Sequence, residues 1–416
     1  MNNGSNVNID RKKNFLERFL LLMPLGNGTA EEALLLWLMV SVWVHYVASG
    51  ALLVILFFVV LFNPKMRKKL MHEKNMFFIG AMIGLYSFLV SAIAKNLIGL
   101  AISLGVFFII SLGAFAKSVM TESLLQKISG ICCVGSIISA GIAIYQKFFK
   151  YGFNYLYRPT AHAFNANYYG TLTVMTMIIC VYNVLDGKGT ACRRAKNILH
   201  RLFYAVAFLI NFAMLMISKS RSSLMAFMIC AIFYLLITKR YLWFIVSVIV
   251  AIGVVTVGWF FPDVFSWTNS LMFSITERSA IWVEALKSFS QNPYTAILGR
   301  GPMTYYLVKG EEGLFDAMHS HNLYVDMLIN VGIIGTVMYL ILFAYLSKEI
   351  IKAWKADNKT GVILATLFVF EILVQGIPDV TIMWHQSGLL FMLIIASVGA
   401  EKSCMCAEER DNGKQL

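Results

Sequence analysis

Charge is scarce in this sequence. Only 14% of its 416 residues are Asp, Glu, Lys or Arg, 59% are hydrophobic, and mean hydropathy is +0.71. Soluble domains average about 45–50% apolar and about 25% charged residues, so the main solvent of this chain must be lipid. The ~10-residue alternation of a membrane barrel strand is missing. Inside hydrocarbon every backbone N–H and C=O must be paired within its own segment, which leaves helices as the spanning element. No Walker-type glycine-rich phosphate loop occurs, and nothing points to ATP. Seven cysteines (Cys132, Cys133, Cys180, Cys192, Cys230, Cys404 and Cys406) lack metal-site spacing and read as packing or reduced thiols. The basic Arg11-Lys12-Lys13 is not followed by a short apolar core and a small-residue cleavage site, so the first span is expected to stay as an anchor.

What is present is a series of apolar windows, each near the ~20 residues that cross a ~30 Å hydrocarbon core. About twelve spans are expected, at 31–46, 48–63, 76–94, 97–116, 128–146, 168–185, 202–218, 223–238, 242–261, 327–347, 360–377 and 386–400. The first two share one apolar stretch, in which Tyr46, Ser49 and Gly50 mark the expected turn. Residues 1–416 read as one all-α polytopic membrane domain. With both termini cytoplasmic, 25 of the 35 Lys and Arg residues fall on one side and 10 on the other, the asymmetry that fixes orientation in a bilayer. The net charge of +13 then reflects topology and attraction to anionic headgroups, with no need of nucleic acid. Residues 402–416 become a cytoplasmic tail.

This topology leaves one large external loop, 262–326, far longer than ordinary connections. Within it Ile281, Trp282, Ala285, Leu286 and Phe289 form one helical face, and Asn292-Pro293 ends that helix. The helix can lie flat at the outer interface with Trp282 at headgroup depth, or pack as a lid. Glu277-Arg278 precede it, Gly299-Arg300-Gly301 follow it, and His319-Ser320-His321-Asn322 close the loop. Glycines beside Arg300 allow close backbone approach to a phosphate, which guanidinium groups bind bidentately. Imidazole suits proton transfer near neutrality. His-x-His also reads as a metal pair or a polar loop, and no third ligand is evident nearby. Arg158, ahead of Asn165-Ala166-Asn167-Tyr168-Tyr169-Gly170, and Arg221, in Ser218-Lys219-Ser220-Arg221, reach the same face. Arg221 alone equally suits a snorkelling end charge. Together the arginines and histidines suit an anionic lipid diphosphate carrying a sugar, with arginines neutralising the leaving group and a histidine activating the acceptor hydroxyl.

This motif order, from about Arg158 to Leu346, resembles the bacterial O-antigen ligase and O-antigen polymerase superfamily of integral-membrane glycosyltransferases. Its most specific element is His319-Ser320-His321-Asn322-Leu323-Tyr324 running into Asn330-Val331-Gly332. The resemblance implies a multi-helix fold shared with polyprenyl-phosphate-dependent (GT-C type) enzymes and an undecaprenyl-diphosphate-linked oligosaccharide donor. It also implies a site on the outer face of the bacterial cytoplasmic membrane, with no metal and no other cofactor. Arg221 and Arg278 would hold the diphosphate, with Arg158 and Arg300 beside them. His321 would be the base and His319 the reserve, with Asn322 and Glu277 in support. The acceptor would be lipid A core for a ligase or another lipid-linked repeat for a polymerase. Nothing identifies a lipopolysaccharide acceptor, so a surface-polysaccharide polymerase is preferred, with a chain-length regulator as candidate partner.

Two rival classes remain. Many spans with arginines also fit a transporter of lipid-linked glycan or anionic solute, although no internal repeat is visible. Glu371, Gln375 and Asp379-x5-His385 could form a relay, with interhelical packing as the plainer explanation. A noncatalytic scaffold would need none of the arginines.

Overall fold

The computed structural model describes residues 29–152, 154, 156–185, 194–260, 266–308, 317–356 and 361–400. The tail at 402–416, the N-terminal basic residues Arg11 to Arg18, and Cys192, Cys404 and Cys406 lie outside them. All regular structure among the described residues is helical. In chain order it comprises α1 (Ala30–Val42), α2 (Tyr46–Phe62), α3 (Pro64–His72), α4 (Lys74–Ile93), α5 (Leu97–Lys117), α6 (Glu122–Ile144), α7 (Ala166–Leu185) and α8 (Arg194–Ser218). There follow α9 (Arg221–Ile237), α10 (Tyr241–Phe260), α11 (Ser266–Ser290), α12 (Pro293–Leu298), α13 (Thr304–Val308), α14 (Leu323–Lys355), α15 (Val362–Gln375) and α16 (His385–Ile395).

The chain is a multi-pass membrane protein, and each expected span contains a helix. Six of these helices are long and apolar enough to cross on their own: α4, α5, α6, α7, α14 and the 198–218 part of α8. The pair α2 and α3 passes only as one unit bent by 95°, and α9, α10, α15 and α16 are shorter. The count of about twelve full spans is therefore not established. At 1.5 Å per residue, the 14 residues of α15 cover roughly two-thirds of a hydrocarbon core. The first two helices also part earlier than expected. The break is at Trp43-Val44-His45, where the His45 ring accepts from Val47 N, and Tyr46, Ser49 and Gly50 lie inside α2.

Polar side chains join the helices. Gln375 on α15 donates to Thr171 on α7 (2.6 Å) and Ser223 on α9 (3.0 Å), which is interhelical packing. The four described cysteines are free and buried. On α3, Met66 and Leu70 are buried while Lys65, Arg67 and Lys68 face outward, the pattern of a helix lying along a charged headgroup layer. At the other flank α11 packs on α14 through Ile281, Ala285 and Phe289, with Tyr305 and Ile329. It is tied to α13 by a Tyr305 to Glu284 hydrogen bond of 2.6 Å.

Two glycine turns lock this flank. The chain leaves α12 through Gly299 (φ 80°) and Gly301 (φ 90°), and α14 kinks at Gly332 (φ 62°, ψ −170°), which divides it in two. The two backbones touch. Arg300 N and Gly301 N both donate to Asn330 O, at 3.0 and 2.6 Å. A Cβ on Gly332 would lie 2.4 Å from Ile297 O, and one on Gly299 would lie 2.4 Å from Asn330 O. Asn330 also accepts from Thr304 N (3.0 Å) and donates to Asp326 (2.6 Å), whose other oxygen takes both donors of Ser320.

Gly332→Ala is expected to lower the melting temperature of the purified protein, because strained positive-φ residues cost about 1–3 kcal/mol each even without the clash. Gly50→Ala, at a helical position with no atom within 4 Å of the added Cβ, should be neutral or stabilising by up to about 1 kcal/mol. Equal melting temperatures for the two variants would contradict the interlock.

Candidate active site

Arg158 is held by the turn that ends α6. There the helix widens into one π-helical turn, Tyr145–Lys150, a feature that lets a helix end swing side chains out of register. Lys147, buried by this turn, donates to the carbonyls of Asn154 and Tyr157, and Gln146 accepts from Thr160 N and Ala161 N. With its loop pinned, Arg158 donates through Nε to Ser218 O (3.0 Å) and through a terminal nitrogen to Asn167 Oδ1. Ser218 begins the turn in which Lys219 takes φ 53° and Arg221 opens α9. Gly170 lets that turn come close, since a Cβ there would lie 2.6 Å from the Ser220 side chain.

Asn167 passes the contact on, donating to Asp379 Oδ2 at 2.8 Å. Asp379 lies just beyond α15 with its side chain 1% exposed. Its Oδ1 accepts from Val380 N (2.9 Å) and lies 3.3 Å from His321 Nδ1 and 3.9 Å from His319 Nε2. The segment bearing the histidines is set by Asn322, whose side chain caps α14 by accepting from Tyr324 N and Val325 N, both at 3.0 Å, and reaches Ile377 O at 2.9 Å. His321 takes φ 51°, uncommon for a residue with a side chain.

The charges agree with this geometry. Burial alone would raise the Asp379 carboxyl, but the hydrogen bond from His321 and the charges of His319, His321 and Arg278 more than offset it and hold it below the usual range. Burial pushes the Arg158 guanidinium down, Asp379 opposes this, and the nearby charges of Arg221 and Arg278 add to the lowering. Burial pushes His319 down as well, with His321 adding to the effect. Arg158, Arg221, Arg278, His319 and His321, from four separate segments, thus share one end of the bundle. Glu277 sits beside Arg278 on α11.

Three placements differ from the sequence reading. Asp379, set aside there as relay or packing, is at the centre, and an acid directly after an apolar span was the available signal. Gly299-Arg300-Gly301, read as a phosphate cradle, forms the backbone interlock with Gly332, and Arg300 lines a separate cavity with Ile93, Ala94, Tyr294 and Leu307. A third potential ligand to the histidine pair does exist. His319, His321 and Asp379 each offer a ligand atom within 4.8 Å of the others. His321 N donates to His319 Nδ1 at 3.2 Å, which puts the lone pair on Nδ1 and the proton on Nε2, the nitrogen facing Asp379.

A cavity of about 740 Å³ reaches His319, Asp326 and Asn330 from the flank of α2 and α5, where Val54, Phe58, Ile98 and Leu104 are exposed. Its inner end is floored by Tyr168 stacked on Trp384, ring centres 5.0 Å apart. His162, further along the Arg158 loop, is buried against Ser139 and Trp43, and burial pushes its pKa down to about 4. It serves packing.

Residues 206–340 match the family described as O-antigen ligase. That stretch holds Arg221, Arg278, His319 and His321, and the match supports the superfamily resemblance carried by the motifs around them. No curated protein matches the chain.

Because burial favours neutral His319, the folded protein binds fewer protons than the unfolded chain between the lowered pKa and the ordinary ~6.5. That stability is present above about pH 6.5 and is lost as pH falls through this window. Melting temperatures measured from about pH 7.5 to about pH 5 should decline, and His319→Gln should lessen the slope. A variant slope equal to that of the parent would contradict the burial of a neutral His319.

Proposed function

We propose that this protein is a membrane glycosyltransferase that takes an undecaprenyl-diphosphate-linked oligosaccharide at the outer face of the bacterial cytoplasmic membrane and polymerises it into surface polysaccharide. The observation that carries this reading is the meeting of three arginines with a carboxylate-backed histidine at one end of the bundle. Arg158, Arg221 and Arg278 bind the donor diphosphate. Asp379 accepts the His321 Nδ1 proton in a hydrogen bond, which leaves the Nε2 lone pair to take the proton of an acceptor hydroxyl. That oxygen attacks the anomeric carbon, and the bond from this carbon to the diphosphate oxygen breaks. The electron pair leaves with the diphosphate, whose added charge the arginines stabilise. The cavity between α2 and α5 gives a lipid chain a path from the bilayer to the site. The arginines supply the charge neutralisation that many sugar transferases obtain from a divalent ion, so the reaction is read as metal-independent.

A ligase reading, with lipid A core as acceptor, is favoured by the description of the matched family. The two separate in one assay. Purified protein with defined lipid-linked repeats should yield a ladder of extended glycans, whereas one transfer to lipid A core without extension would make the protein a ligase.

His321→Ala should lower kcat about 10²–10⁴-fold, the usual contribution of general base catalysis. Arg221→Ala and Arg278→Ala should raise the donor KM, lower kcat, or both, and a chelator should leave the rate unchanged. Unaltered glycan length in cells that carry any of the three variants would favour a noncatalytic scaffold. Intact elongation with lost uptake of a lipid-linked glycan would point to transport.

A further inference from the structure

Asn167 stands between the two charged halves of the site. Its Oδ1 accepts from Arg158 and its Nδ2 donates to Asp379 Oδ2 at 2.8 Å. The amide orientation is forced, because a guanidinium cannot accept and a carboxylate cannot donate. Asn167 is itself fixed at the start of α7. Asn165 Oδ1 accepts from Asn167 N (2.9 Å) and Tyr168 N (3.0 Å), and the Asn167 carbonyl accepts from Thr171 (3.0 Å).

Without this side chain an arginine and a carboxylate would face each other in a largely buried place, and a guanidinium fork fits a carboxylate bidentately. A direct pair would take up the Arg158 N–H groups that a diphosphate needs and the Asp379 lone pairs that His321 needs. We propose that Asn167 is a positioning residue that spaces Arg158 from Asp379, keeping the arginine available to the donor diphosphate and the carboxylate available to His321. The inference rests on the glycosyltransferase reading above. An uncharged amide is the side-chain group that offers an acceptor at one end and a donor at the other. The substitution Asn167→Asp would remove the donor and set two carboxylates against each other. Gln carries the same amide on a longer stem.

The chain of contacts runs from Ser218 O through Arg158, Asn167 and Asp379 to His321. It joins the turn before α9, the start of α7, the loop after α15 and the segment before α14. His319 and Arg278 also act on Asp379, and Asp326 acts on His319. When a diphosphate engages Arg158, its negative charge offsets the guanidinium and Asp379 is freer to stabilise the His321 imidazolium.

The test is steady-state transfer by the full-length protein in lipid nanodiscs, with a polyprenyl-diphosphate-linked repeat as donor and melting curves as a folding check. Asn167→Ala should lower kcat about 10²-fold, within the range for loss of base catalysis, and raise the donor KM. It should also move the acid limb of the kcat profile to lower pH, since the base loses its carboxylate support. Asn167→Gln should recover part of each effect. Combined with Asp379→Asn, Asn167→Ala should add little, because both act on one group. The proposal is overturned if Asn167→Ala leaves kcat and KM nearly unchanged while Asp379→Asn abolishes transfer. It is also overturned if activity falls with an unmoved pH limb and full additivity with Asp379→Asn. Absence of transfer by the parent protein in the same nanodiscs would instead defeat the glycosyltransferase reading itself.

Discussion

A single buried carboxylate holds this end of the bundle together. Removing Asp379 from water is tolerable only if its charge and lone pairs find partners, and these come from distant parts of the chain. Asn167 arrives at the head of α7, His321 and His319 precede α14, and Val380 supplies its own amide. Each partner is in turn fixed by something else. Asn167 holds Arg158, Arg158 holds the Ser218 carbonyl, and Asn322 ties the histidine segment to the loop after α15. The need to satisfy one acid therefore sets where four segments must meet.

The histidine segment requires a rigid base, because His321 sits in a left-handed conformation that costs energy unless its surroundings impose it. The imposing structure is the flank built around Asp326 and Asn330. Asp326 takes both donors of Ser320, between the two histidines, and Asn330 binds the loop after α12 by its carbonyl and its amide. Gly299 and Gly332 allow these backbones to touch. The strained residue and the tightest backbone contact are thus parts of one support, with the loop helix α11 packed against α14.

Much of this was legible in the sequence, and the misses share a cause. Each expected apolar window contains a helix, six of them long enough to cross on their own, and the asymmetry of Lys and Arg put Arg158, Arg221, Arg278 and the histidines on one side as an expectation. Local patterns also held: the loop helix stops at Ser290, just before Asn292-Pro293. What failed depended on which distant group a residue would meet. Asp379 looked like an ordinary polar residue at a helix end, because nothing in its neighbours shows that His321 lies opposite. The glycines around Arg300 were read for approach to a phosphate, although the same freedom serves contact with a backbone, and only the position of Gly332 decides between them. The span count is left unestablished for a different reason. Hydropathy measures apolar length, and α15 and α16 continue past their helical ends as apolar or irregular chain that keeps the signal without the helix.

The positions of the arginines argue that the site belongs to the boundary between lipid and water. A guanidinium at the middle of a span costs about 2.5–3.5 kcal/mol on insertion scales, and much less near a helix end. Arg158 precedes α7, Arg221 is the first residue of α9, and Arg278 lies on a helix outside the six clear spans. None carries the mid-membrane cost, yet their charges act on one another. On the proposed function, such a cluster belongs at the depth of a lipid headgroup. The cavity beside it is lined almost wholly by apolar side chains until it reaches His319, Asp326 and Asn330. On the proposed function, charge on one side of the histidines and an apolar opening on the other would serve a ligand that is itself divided, with an anionic head and a hydrocarbon tail. A soluble anion would use the arginines and leave the cavity without purpose, and a neutral lipid would do the reverse.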